Sequence, residues 1–100
     1  MRLIVRPEAE ADIAQGYAWY ELQRTGLGHR FIDEISRCLA DIEREPFRFL
    51  MIRGDARRAL LRRFPYAIFF VRGPAHISVV AAMHMARDPG LWHERIDRDV

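Results

Sequence analysis

The chain contains no lysine; all 16 of its basic residues are arginine. Every chemistry that needs an ε-amine is thereby excluded, including Schiff bases, a lysine general acid and a P-loop lysine. Cysteine is nearly as scarce. A lone Cys38 rules out an internal disulfide and a multi-cysteine zinc site, and makes a reducing compartment the natural setting. No apolar run approaches the ~20 residues needed to cross a bilayer. The N-terminus reads as a strand, RLIVR, not as a basic stretch followed by a long apolar core. Neither a membrane span nor a signal peptide is therefore expected, and the cytoplasm is the expected location. Repeats and low-complexity segments are absent too.

What remains is ordinary globular composition. One hundred residues, 50% hydrophobic and 30% charged, describe a single domain spanning 1–100 with enough surface to bury one core. The net charge of +2 conceals a segregation: residues 1–46 carry six Arg against nine acids, and residues 47–100 carry ten Arg against five. Arginine presents a planar, permanently charged fork that matches carboxylates and phosphates. The second half is thus a candidate grip for an acidic or anionic partner.

RLIVR (2–6) is a short strand by its β-branched, apolar centre. Pro7 suits a first helical turn, and Glu8, Glu10 and Asp12 complement the positive end of a helix dipole. The 3.6 period continues to about Arg24. Ala9, Ile13, Tyr17 and Tyr20 form one stripe, while Ala11, Ala14, Ala18 and Leu22 form an opposite one. A helix apolar on two sides needs two covers, a sheet and either a second helix or a partner. Gly26 is the expected C-cap, and a second helix runs from about His29 to Glu45 with Phe31, Ile32, Ile35, Leu39 and Ile42 on its inner face. Pro46 ends it.

FRFLMI (47–52) is open between a short strand and a loop; Arg53-Gly54-Asp55 is a turn. Residues 57–63 alternate as a half-exposed strand, Phe64-Pro65 breaks it, and 66–71 and 76–84 form a hairpin of apolar strands. Asp88-Pro89-Gly90 is expected to stop the regular structure, leaving a helical turn or two from Leu91 to Asp97. The expected fold is α+β in two layers: an antiparallel helical hairpin packed on a mostly antiparallel four-stranded sheet (β-α-α-β-β-β), with a short C-terminal helical segment.

Candidate functional residues gather in the second half. Arg57, Arg58, Arg62 and Arg63 form the densest basic cluster, either a solvated face that blunts a sheet edge or a docking surface. In a regular strand 57 and 63 point one way and 58 and 62 the other, so one four-arginine patch requires a bulge. His84 ends the last strand, with Arg87 just beyond. His29, His76 and His93 read as surface residues, and no pair has helical ligand spacing, so no metal is expected. Phe64, Phe69 and Phe70 are expected in the core, as is Cys38. Trp19 and Tyr20 are expected to pack around the helical hairpin. Trp92 either pins the C-terminal segment or touches a target.

In this order the chain also carries Pro7-Glu8-Ala9-Glu10-Ala11-Asp12-Ile13, Trp19-Tyr20-Glu21, Gly26-Leu27-Gly28, Phe31 and Ile42 with Pro46. Leu61-Arg62-Arg63-Phe64-Pro65-Tyr66-Ala67-Ile68 follows, and His84-Met85-Ala86-Arg87-Asp88-Pro89 closes the series with Trp92 and Arg95. So ordered, these pieces resemble the RelE/ParE superfamily of bacterial toxins, most closely the ParE-like, plasmid-stabilisation branch, over almost the whole length. The resemblance implies the toxin of a type II toxin–antitoxin pair. Its partner would be a cognate antitoxin, acidic, partly disordered and folding on binding. The implied targets are DNA gyrase or, in ribonuclease-type relatives, messenger RNA on the ribosome. No cofactor is implied.

Ribonuclease chemistry needs a base for the 2′-hydroxyl, an acid for the leaving oxygen and cations for the phosphorane. The ribonuclease-type relatives commonly place an arginine after the tyrosine of the central strand. Here the strand reads Tyr66-Ala67-Ile68. His84, Arg87, Tyr66 and Arg58 are the candidates left for such a reaction, an incomplete set. Non-catalytic poisoning of gyrase is therefore the expected activity, with ribosome-dependent cleavage of messenger RNA as the alternative and a non-toxic binding module as a third reading. Arg57, Arg58, Arg62, Arg63, Arg87 and Trp92 are the candidates for contact with target or antitoxin.

Overall fold

A computed structural model describes residues 1–99. Its elements are β1 (Arg2–Val5), α1 (Pro7–Gln23), α2 (Leu27–Arg44), a 3₁₀ turn (Pro46–Arg48), β2 (Leu50–Arg53), β3 (Ala56–Leu60), β4 (Tyr66–Arg72), β5 (His76–His84) and α3 (Pro89–Asp99). The strands form one sheet in the order β1-β5-β4-β3-β2. The β2–β3, β3–β4 and β4–β5 pairs are antiparallel, and β1 lies parallel to β5. The architecture is the expected α+β.

Pro7 opens α1, with Glu8 and Glu10 in its first turn. Arg24, not the expected Gly26, is the C-cap of α1; Gly26 is instead the N-cap of α2, where its φ of +91° lies in the left-handed region that glycine tolerates. The Glu21 carboxylate accepts hydrogen bonds from the N–H groups of Gly26 (2.9 Å) and Gly28 (3.0 Å), supplying partners for the first turn of α2. A Cβ on Gly28 would lie 2.8 Å from the Tyr17 carbonyl oxygen, so the two helices cross in backbone contact there.

Both helices cover one face of the sheet. Ala9 and Tyr20 from α1 and Phe31, Ile35 and Ile42 from α2 pack on Ala59, Ile68, Phe70, Ile77 and Val79. Within this layer Tyr20, Phe31, Phe64 and Tyr66 form a cluster with ring centroids 4.8 to 6.0 Å apart. Such pairs contribute about 0.5–1.5 kcal/mol each beyond the area they bury. Phe64, Phe69 and Phe70 are all core residues, as expected.

Three further expectations need correction. The sheet has five strands, not four, because the FRFLMI segment yields β2 after its 3₁₀ turn. The C-terminal segment is an eleven-residue helix, not a turn or two. Asp88-Pro89-Gly90 starts it: the Asp88 carboxylate accepts the Gly90 N–H (2.9 Å) as an N-cap, and Pro89 is the first helical residue. This α3 then covers part of the second sheet face, where Ile96 is buried and Trp92 stacks on Phe69 at 4.6 Å and 16°. Finally, Trp19 is 57% exposed, and only Tyr20 enters the hairpin core.

The centre of β5 is bulged. Phe69 pairs with Ala81 and Phe70 with Val79, so Val80 is an extra residue, and both Val80 and Ala81 join the second core. The β1 partner ends at Val79, where Arg6 N–H donates to the Val79 carbonyl (2.9 Å). Beyond it, β5 would face empty space. Asp12 of α1 accepts the Ala82 N–H (3.0 Å), and Arg95 of α3 donates to the Val80 carbonyl (3.2 Å). The two side chains join each other through contacts of 2.5 and 3.0 Å. An ion pair thus stands where a strand would continue, satisfying backbone groups that would be costly to leave bare.

Candidate functional site

The end of β5 and the outer side of α1 border a cleft of about 200 Å³ lined by Asp12, Gln15, Trp19, Tyr66, His84 and Arg87, with Ala82 and Met83 behind them. Tyr66 and His84 are register partners across β4 and β5, with rings 5.5 Å apart. Asp12, Gln15 and Trp19 face them because three- and four-residue steps share one side of a helix.

The protonation chemistry of these groups is constrained. His84 Nδ1 accepts the Ala86 N–H at 3.0 Å. A neutral imidazole so held carries its proton on Nε2. Burial raises the Tyr66 hydroxyl above its ordinary value; the nearby Arg87 opposes this and Asp12 adds to it. Tyr66 is therefore a phenol at neutral pH. Both Asp12 oxygens are engaged by Arg95 and Ala82, and the hydrogen bond to Asp12 raises the Arg95 guanidinium still higher. Arg87 is exposed and forms no ion pair among the described residues. The cleft offers a cation, two donors and an aromatic edge. It can hold an anionic or planar group.

Of the nuclease candidates, Tyr66, His84 and Arg87 meet in this cleft. Arg58 does not: it pairs with Leu50 and Phe69 in register and shares the sheet face of Trp92. The expected arginine surface is likewise divided. Arg57 lies on the helix-covered face, donating to the carbonyls of Phe49 (2.6 Å) and Phe47 (3.3 Å). Arg62 and Arg63 fall in the connection after β3, where their backbone N–H groups reach Glu34. The strand ends at Leu60, so the alternation assumed for 57–63 stops halfway. Trp92 is half-buried against Phe69 and anchors α3.

The outer side of α1 has no cover. Ala11, Ala14 and Ala18 are exposed beside Trp19, and Leu22 is 84% exposed. Ala14 continues this strip into an open groove with Val5, Ile13, Tyr17 and Ile32. The helix is thus apolar on two sides, as its sequence pattern requires, and only one side is occupied. Sequence reasoning did not place Asp12, Gln15 and Trp19 at the cleft. Their i, i+3, i+7 spacing was the available signal.

Among the described residues no group of three His, Cys, Asp or Glu gathers as a metal site, and no helix is long and apolar enough to cross a membrane. No family model matches the chain, and no curated protein matches it. A solved structure does: one described as the chromosomal ParDE TA system from P. aeruginosa, at a TM-score of 0.76 and 16% identity, covering 84% of this chain and 95% of the other. The chain shares the fold of that structure.

Proposed function

We propose that this chain is the toxin of a type II toxin–antitoxin pair and acts by binding its target, DNA gyrase, without catalysis. The observation that carries this reading is the likeness of its fold to the ParDE structure over most of both chains. Two features agree with it. The uncovered apolar side of α1 suits an amphipathic antitoxin segment that folds as it binds, and in the Tyr66–His84–Arg87 cleft His84 Nδ1 is engaged by the Ala86 N–H instead of standing free as a base.

Induction in a bacterial host tests it. Growth should arrest, and recover when a cognate antitoxin is co-expressed; plasmid DNA should accumulate as linear, gyrase-linked product. His84→Ala should remain toxic. Unimpaired growth refutes the toxin reading. Codon-specific cuts in translated messages that disappear in His84→Ala and Arg87→Ala replace the gyrase reading with ribosome-dependent cleavage.

A further inference from the structure

Between α2 and the β3–β4 connection (residues 61–65) lies a second, larger cleft of about 480 Å³. Arg30 and Arg37 enter it from α2 and Arg63 from the connection, over a floor of Leu27 and Phe64. Its construction begins with Glu34, which is buried and accepts the backbone N–H groups of Arg62 (3.2 Å) and Arg63 (3.4 Å) and Arg37 Nη1 (3.3 Å). That carboxylate is consumed in holding the connection against the helix. Arg30 and Arg63 form no ion pair among the described residues. Asp33 and Glu34 also line the cleft, but neither pairs with Arg30 or Arg63, so two unpaired guanidinium forks stand beside an apolar floor.

We propose that this cleft recognises an acidic peptide segment, seating one carboxylate on Arg30 and another on Arg63 with an apolar side chain between them over Leu27 and Phe64. Guanidinium forks bind carboxylates through paired hydrogen bonds, and exclusion of water by the apolar contact strengthens them. Nucleic acid fits less well. Asp33 and Glu34 also line the cleft, and an unbroken row of phosphates would meet them, whereas a peptide spaces its charges. The assignment rests on the toxin–antitoxin reading only for the identity of the protein that supplies the segment.

The test is a titration of the full ¹⁵N-labelled chain with a short acetylated peptide of alternating glutamate and leucine, followed by NMR. Saturable shifts are expected at the Arg30 and Arg63 side-chain Nε–H groups and at the Leu27 and Phe64 amides. Affinity should fall at least tenfold in Arg30→Gln/Arg63→Gln and in the single Arg63→Gln variant, and stay within twofold in Arg2→Ala. The glutamine–leucine version of the peptide should not bind. Shifts spread over Arg2, Arg24 and Arg58, binding that survives both variants, or an oligothymidine that binds these residues more tightly than the peptide would each overturn the proposal. The two readings fail separately. Leu22→Asp on α1 should weaken antitoxin neutralisation and leave the peptide titration intact, whereas toxicity and neutralisation persisting without peptide binding would remove only the cleft assignment.

Discussion

Replacing Asp12 by alanine should be the most damaging single change at the sheet's unfinished edge. The carboxylate and the Arg95 guanidinium are only 12% and 18% exposed, so the pair lies nearer the buried limit than the surface one. Removing one partner of a buried pair costs about 3–5 kcal/mol, against about 0–1 kcal/mol at the surface. The Ala82 N–H loses its acceptor as well, a further penalty of about 1–3 kcal/mol if no water replaces it. Partial hydration lowers the sum, giving an expected loss of about 3 kcal/mol. In a chain of this length that lowers Tm by roughly 12–24 °C. Asp12→Asn keeps an acceptor for Ala82 and should lose less, about 2 kcal/mol. Arg95→Met beside Asp12→Ala removes the stranded guanidinium, so the double variant should be more stable than the sum of single losses predicts, by about 1.5–2 kcal/mol. Urea denaturation followed by circular dichroism measures the wild type, both Asp12 variants, Arg95→Met and the double variant, and hydrogen exchange at Ala82 reports the edge directly. A loss below about 0.5 kcal/mol for Asp12→Ala, with strict additivity in the double variant, would refute the idea that the ion pair completes the sheet.

Close contacts, pH and thiol reactivity supply further expectations. A Cβ on Gly16 would sit 2.7 Å from the Phe31 ring, so Gly16→Ala should destabilise by about 1 kcal/mol even after its gain in helix propensity. Gly28→Ala meets unyielding backbone at Tyr17 and should cost more, about 2–3 kcal/mol; melting curves that rise for either variant would contradict the packing. Hydrogen bonds from Gly26, then Gly28, hold the Glu21 carboxyl below its ordinary 4.5 against an opposing effect of burial. Its contribution is therefore present above the unfolded value and lost as pH falls through the folded one. Denaturant midpoints measured from about pH 6 to pH 3 should fall less steeply in Glu21→Gln than in the wild type, and parallel curves would reject this role. Burial, aided by Asp41 and Glu34, pushes the Cys38 thiol up to about 12. It should resist an aromatic disulfide reagent at neutral pH until the chain unfolds, and prompt reaction of the native protein would show the burial to be wrong.

The helices were legible because their signals are local. The charged first turn of α1, the Gly26 link and Pro46 set limits that the structure reproduces within a few residues. The apolar faces of α2 and of the β4–β5 hairpin were equally plain. The bulge in β5 was not. Both faces of β5 are buried from Ile77 to Met83, so nearly every position carries an apolar side chain and two successive residues on one face leave no break in the pattern. The β1–β5 pairing is parallel and long-range, beyond the reach of any turn motif. Arg57, Arg58, Arg62 and Arg63 were adjacent in sequence but separate in space because β3 ends at Leu60. Glu34, far upstream on α2, then holds the backbone of Arg62 and Arg63 and sets the course of the connection into β4. Of the Tyr66–His84–Arg87 cleft, the strand-end residues were evident and the α1 wall was not.

The first strand has its own consequence for biogenesis. Among the described residues, 2–5 find their only sheet partner at residues 76–79, so during translation β1 must wait until almost the entire sheet has been synthesised. The helical hairpin can form early, but the surface it covers does not yet exist, and contacts this distant in sequence are slow to close. A ribosome-bound chain consequently lacks the finished sheet, and its exposed α1 strip is available to a chaperone before the native state is complete.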